Sequence, residues 1–135
     1  MNSSGSGSNI LLGVDDAPEN LFLLQSAVKA GGYSFVGARS GGECLTMLRH
    51  VVPRLILLDI EMPTMDGFET CRRIRALPEV GHVPIAFLTA RKTAGDVKEC
   101  LDVGGNDFIE KPFDMTKLLE RIRHWTARRV GAVPA

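Results

Sequence analysis

Five side chains stand where chemistry would be expected. Asp15 and Asp16 follow the apolar run Ile10 to Val14, and Asp59 ends Leu55 to Leu58. Thr89 follows Val83 to Leu88, and Lys111 follows Asp107 to Glu110. Ligands of open α/β sheets bind beyond the carboxyl ends of the strands, which is where these groups stand. Three carboxylates on one rim repel each other, and at least one should have a raised pKa. A hard divalent cation relieves that repulsion: Mg²⁺ takes oxygen ligands and keeps several waters that a phosphate can replace. A lysine opposite supplies a point charge for a phosphate oxygen, and a threonine hydroxyl a further donor. The set suits phosphoryl transfer, which needs positioning and charge neutralisation more than covalent help. A carboxylate can itself be the nucleophile and form an aspartyl phosphate. Each residue alone has a plainer reading. Asp16 suits a helix cap, Thr89 a strand end, and Lys111 a solvated surface. The weight lies in the five arriving at strand ends in the order DD, D, T, K.

The elements that must position these groups are legible in the pattern. Four-residue apolar runs such as Leu55 to Leu58 read as strands buried on both faces. Five strands are expected: Ile10 to Val14, Tyr33 to Ala38, Leu55 to Asp59, Val83 to Leu88 and Asp107 to Glu110. Pro18 suits the first turn of a helix. That helix has an apolar face of Leu21, Leu24, Ala27 and Val28, and Gly31-Gly32 stop it. Ser40 caps a second helix with Cys44, Leu45, Leu48 and Val51 at helical spacing, ended by Pro53. Asp66-Gly67 start a third, with Phe68, Cys71 and Ile74 on one side. A charged fourth helix covers about Thr93 to Val103, anchored by Val97 and Leu101. Asp114 caps the last, whose buried stripe is Met115, Leu118, Leu119, Ile122 and Trp125. Alternation of strand and helix with short connections predicts an α/β domain: a parallel sheet covered by helices on both faces. The second strand supplies only Arg39 and Ser40 to the rim.

Composition narrows the class. Sixteen basic and sixteen acidic residues cancel, which gives no reason to expect direct nucleic-acid binding or an anionic membrane as partner. No apolar run is long enough to span a bilayer, and no secretory signal is evident. Cys44, Cys71 and Cys100 form no CxxC pair and read as reduced, buried thiols of a cytoplasmic protein. His50, His82 and His124 lack partners at metal spacing and read as surface or helix-end residues. Trp125 reads as core or partly covered helix surface. Residues 1–8, MNSSGSGS, read as a flexible leader, 9–129 as one domain, and 130–135 as a flexible tail.

The segments LLGVDDAPEN, LILLDIEMPTMDGFE, IAFLTA and GGNDFIEKPF together resemble the receiver domain of bacterial two-component response regulators, from about Asn9 to Arg128. The resemblance implies a three-layer (βα)5 flavodoxin-like fold with strand order 2-1-3-4-5. Asp59 then matches the phosphoacceptor, and Asp15 and Asp16 match the Mg²⁺-binding acids. Asp59 itself and the backbone carbonyl of Glu61 complete the protein's ligands, and Mn²⁺ is an admissible substitute. Thr89 matches the switch hydroxyl, Phe108 the aromatic that turns inward in concert, and Lys111 the phosphate-pairing lysine. It also implies a cis bond between Lys111 and Pro112. The phosphoryl donor would be a phosphohistidine of a sensor histidine kinase or phosphotransfer protein. The surface of the fourth helix, fifth strand and fifth helix would meet an output domain, an effector or a second copy. Such a domain catalyses only its own phosphorylation and dephosphorylation and is not a turnover enzyme.

Glu61 and Arg91, two residues beyond Asp59 and Thr89, would flank the phosphoryl group and are candidates for tuning its lifetime. Their plain reading is two solvated side chains. A Mg²⁺-dependent phosphohydrolase resembling haloacid dehalogenases is the alternative from another class. It also uses a strand-end Asp, a Ser/Thr, a Lys and further acids, and Asp59-Ile60-Glu61 echoes its paired acids. Against it, the Asp-Asp pair precedes the nucleophile and no cap insertion forms a substrate pocket. A degenerate receiver serving only as a binding module conflicts with the complete set of five. The Gly/Ser leader and the tail RVGAVPA lean towards a piece of a longer protein over a single-domain regulator.

Overall fold

The computed structural model describes residues 9–90 and 93–131, with side chains through 127. Ten elements alternate: β1 (Ile10–Val14), α1 (Pro18–Ala30), β2 (Ser34–Ala38), α2 (Gly41–Met47), β3 (Leu55–Asp59), α3 (Gly67–Arg75), β4 (Ile85–Thr89), α4 (Ala94–Asp102), β5 (Asp107–Glu110) and α5 (Met115–Gly131). The strands form one sheet in the order β2-β1-β3-β4-β5, and every neighbouring pair is parallel. The four strand ends that carry the five candidate side chains therefore face the same rim.

Alternation along the strands sorts the core into two layers. On one face Leu12, Val14, Ile56, Leu58, Ile85 and Phe87 pack under α2, α3 and α4. On the other Leu11, Leu55, Leu57, Ala86 and Leu88 pack under α1 and α5. β3 and β4 are buried along their whole length, as continuous apolar runs require of central parallel strands. Burial of a single Leu or Ile of this kind is worth about 1.5–3 kcal/mol, so the two central strands dominate the core.

Local chemistry sets the helix starts. Ser40 Oγ accepts from Glu43 N at 3.0 Å and Asp66 Oδ1 from Glu69 N at 2.9 Å. Thr93 and Asp96 form a capping box on α4, and Asp114 Oδ1 accepts from Thr116 N and Lys117 N. Each satisfies N–H groups that the helix cannot pair internally.

Several expectations need correction. β2 starts at Ser34 rather than Tyr33, and β4 spans Ile85–Thr89 rather than Val83 to Leu88, though Val83 is still buried. α2 ends at Met47, so Val51 lies beyond it. Leu101 is not an anchor of α4, because it is 61% exposed; Cys100 and Val103 are buried and Val97 is half-buried. The buried stripe runs at i, i+3 through 97, 100 and 103, facing α3, where Cys71 Sγ donates to Val103 O. A small thiol fits that close approach, and the larger Leu101 is turned outward. Met115 likewise leaves the stripe of α5, being 38% exposed. Thr126 is fully buried in its place on the inner face, with its hydroxyl on Ile122 O. Residues 1–8 and 132–135 lie outside the described residues, and the backbone of α5 continues through Gly131.

Polar latches hold α4 and α5 to the rest. The Arg75 guanidinium at the end of α3 donates to Gly81 O, Val83 O, Gly104 O and Asn106 Oδ1, at 2.7–3.1 Å. All five of its N–H groups are used, so the end of α3 is tied to the loop that precedes β4 and the loop that precedes β5. Asp107 at the start of β5 accepts from Arg121 and from Trp125 Nε1, fixing α5.

Candidate functional site

Strand register decides which side chains can meet. Val14 is level with Leu58, so the residues that follow, Asp15 and Asp59, leave adjacent strands side by side. Asp59 is level with Leu88 and Thr89 with Glu110, which brings Thr89 and then Lys111 to the same rim. The Lys111 N–H donates to Thr89 O at 2.8 Å and ties the ends of β4 and β5. The peptide bond between Lys111 and Pro112 is cis, as the resemblance implied.

Asp15 and Asp59 are both buried, at 0% and 3% exposure. Lys111 Nζ reaches between them, 2.9 Å from Asp15 Oδ2 and 3.0 Å from Asp59 Oδ1. The contact with Asp59 is a hydrogen bond, and Asp59 Oδ1 also accepts from Glu61 N at 3.3 Å. The contact with Asp15 is an ion pair that leaves Oδ2 without a well-aligned donor among the described residues. Asp15 Oδ1 is occupied, accepting from Ala17 N at 3.0 Å and Asn20 Nδ2 at 3.3 Å.

Burial pushes the Asp59 carboxyl up to about 6, and the neighbouring Asp15 charge adds to the rise. The Lys111 hydrogen bond and charge and the Glu61 N–H oppose it. Burial works to lower the Lys111 ammonium, but the close contacts and charges of Asp15 and Asp59 prevail and hold it raised. One ammonium shared by two buried carboxylates leaves the site short of positive charge, and a second cation is what the arrangement lacks.

The residues present fit such a cation. Asp15, Asp16 and Asp59 each bring a carboxylate oxygen within 4.8 Å of the others. The donors are all hard oxygens, suited to Mg²⁺ or Mn²⁺ over softer metals. Asp15 Oδ2 is buried and shares the Lys111 ammonium with Asp59, and Asp16 is exposed and opens the cluster to solvent.

The other candidates fall as follows. Thr89 is buried at the end of β4. Phe108 is half-buried against the core layer of α2, α3 and α4. It lines a cavity of about 470 Å³ with Pro112, Lys117 and Arg121. Glu61 is exposed on the loop after β3. Arg91 lies outside the described residues. His50, His82 and His124 are all exposed and away from this rim. The cap reading of Asp16 is replaced, because Asp15 rather than Asp16 accepts from the start of α1. Asn20 is a site neighbour that the sequence reading did not single out. Its signal is its place at the third helical position of α1, from which side chains reach back towards the cap.

Comparisons with known proteins agree with this geometry. Residues 11–123 match the family described as response regulator receiver domain. The chain is 38% identical over 116 residues to the response regulator PleD of Caulobacter vibrioides, covering 86% of this chain and 26% of that protein. It is 37% identical over 113 residues to the response regulator MprA of Mycobacterium leprae, covering 84% of this chain and 49% of that protein. The chain thus spans about a quarter to a half of these relatives' length. Among solved structures, the chemotaxis protein CheY4 of Vibrio cholerae superposes with a TM-score of 0.83 at 26% identity, over 87% of this chain and 98% of that one. The receiver domain of a Pseudomonas aeruginosa PAO1 sensor histidine kinase superposes with a TM-score of 0.81 at 30% identity, over 90% of this chain and 99% of that one. That structure is described as having a magnesium ion coordinated in its active site cleft. With a parallel sheet in the order 2-1-3-4-5, acids and a lysine meeting on its carboxyl rim, and the family match running through nearly every described element, the chain belongs to the response regulator receiver domain family.

Proposed function

We propose that Asp59 is the phosphoacceptor of a two-component phosphorelay. The observation that carries this is Lys111 Nζ set 2.9 and 3.0 Å from two buried carboxylates on one rim, one of them Asp59. Asp15, Asp16, Asp59 and the Glu61 carbonyl would hold Mg²⁺, or Mn²⁺ in its place, which supplies charge neutralisation for the phosphoryl oxygens. The donor is a phosphohistidine on a sensor histidine kinase or a histidine phosphotransfer protein. An Asp59 oxygen attacks phosphorus in line, the N–P bond of the donor breaks, and the imidazole leaves with that electron pair and takes up a proton. Lys111 stabilises the charge on the transferred group. The product carries roughly −1.5 to −2 of charge on its phosphoryl oxygens, in place of the single charge of the carboxylate, and moves it outward from Asp59.

That charge draws the Thr89 hydroxyl, and Phe108 turns inward as Thr89 moves. The effect reaches the α4-β5-α5 face, where an output domain, an effector or a second copy of the chain docks. This is a two-state element biased by one local charge. The attachment of α4 supports it, since Cys100 is the sole fully covered residue within that helix. Glu61 and Arg91 tune the lifetime of the phosphoryl group. The domain occupies residues 9–129 and works in the cytoplasm as a signalling module, without nucleic-acid or membrane contacts of its own. Among the described residues, no helix is long and apolar enough to cross a membrane.

Incubation with acetyl phosphate tests the assignment. Stoichiometric labelling that requires Mg²⁺ and is lost in Asp59→Asn is expected. Multiple turnover of free phosphomonoesters, or equal labelling of Asp59→Asn, would overturn it.

A further inference from the structure

We propose that Asn20 is a positioning residue of the cation site, fixing the Asp15 carboxylate through Oδ1 so that Oδ2 is presented to the shared centre. The inference rests on the reading of this rim as a Mg²⁺ site. Asp15 is fully buried and its two oxygens have divided duties. Oδ1 takes the Ala17 N–H and the Asn20 side-chain amide, and Oδ2 faces Lys111. A carboxylate only accepts, so the amide nitrogen of Asn20 must face it.

The start of α1 explains how the chain arrives at this arrangement. Ala17 is the N-cap and has no side chain able to accept from the first turn. Pro18 has no N–H to satisfy. In an ordinary capping box the third helical residue reaches back to the N–H of the cap residue. Here Asp15 takes that N–H, and Asn20, at the third position, reaches past it to Asp15 itself. The first turn of α1 and the buried acid are thereby one unit. The terminal torsion of an Asp is broad, with no strong rotamer well to hold it. Two donors on one oxygen supply the orientation that the torsion lacks, and outer donors of this kind govern how well a ligand serves a metal.

The test is a Mg²⁺ titration followed by amide chemical shifts in the full chain, comparing wild type with Asn20→Ala and Asn20→Leu. Leu keeps most of the side-chain bulk and lacks the donor. Both variants are expected to bind Mg²⁺ about tenfold more weakly, and their acetyl phosphate labelling rate should return to wild type at saturating Mg²⁺. A residue that only shapes the start of α1 would change the metal-free urea midpoint and leave Mg²⁺ affinity alone. Wild-type affinity in Asn20→Leu would overturn the inference, as would a labelling rate that stays low when Mg²⁺ is saturating. If wild type itself binds no Mg²⁺, the cation-site reading falls first and this inference with it.

Discussion

At the scale of single residues, the site is a problem of charge. Asp59 is 3% exposed, and burial carries its carboxyl from 3.8 up to about 6. The folded protein therefore holds that proton more tightly than the unfolded chain. Between about pH 4 and about pH 6 the unfolded chain releases it first, so stability falls as pH rises through this window and stays lower above it. At 1.36 kcal/mol per pKa unit the ionised carboxylate costs roughly 2–3 kcal/mol in the metal-free protein. Asp59→Asn should accordingly raise the urea unfolding free energy by about that amount at pH 8 in the presence of a chelator, and the gain should vanish towards pH 4. An equal effect at both pH values would contradict the charge argument. The five rim residues were legible in the sequence because each stands at or just beyond the end of an expected strand, and strand-end position survives errors of a residue or two in element bounds. The partners of those residues were not. Asn20 meets Asp15 only through the turn between β1 and α1, and no periodicity encodes that reach.

Elements carry the site only if their ends approach closely, and the junction of β3 with α3 is the tightest case. Gly67 N donates to Ile60 O at 2.8 Å. A Cβ on Gly67 would meet the Asp59 carbonyl and come 2.8 Å from Ile60 Cα, both of them backbone atoms with little room to yield. Gly67→Ala should destabilise the fold by about 3 kcal/mol and displace the loop that carries Glu61. Urea denaturation measures the first effect, and a change within about 0.5 kcal/mol of wild type would mean the junction is looser than described. The bounds of β1 and β3 could be read from apolar runs, since buried parallel strands have few other ways to look. The rotation of α4 could not. Hydrophobicity favours Leu101 over Cys100, whereas packing against α3 requires a small residue on the inner stripe. The Arg75 latch was equally hidden, because four of its five hydrogen bonds go to backbone carbonyls that any residue could supply.

For the whole molecule, strand order followed from family resemblance, while alternation of strand and helix fixed only a parallel sheet. The match over residues 11–123 and the observed order 2-1-3-4-5 bear out both. The core layer under α2, α3 and α4 also buries all three cysteines. Burial pushes Cys44 up to about 12 and Cys100 up to about 11, and raises Cys71 as well. Thiolate is the reactive form, so none of the three should react promptly with a thiol reagent in the native protein, and all three should after denaturation. Fast native labelling of any one would show that α2, α3 or α4 opens more readily than the packing implies. The central claim is that, among sixteen acids, Asp59 is the one that carries the phosphoryl group. An acyl phosphate is reduced by borohydride to the alcohol, which converts an aspartate into homoserine and marks the site covalently. After acetyl phosphate and Mg²⁺ treatment of the full chain, peptide mapping should find homoserine at position 59; homoserine at another acid, or at none, would contradict the account.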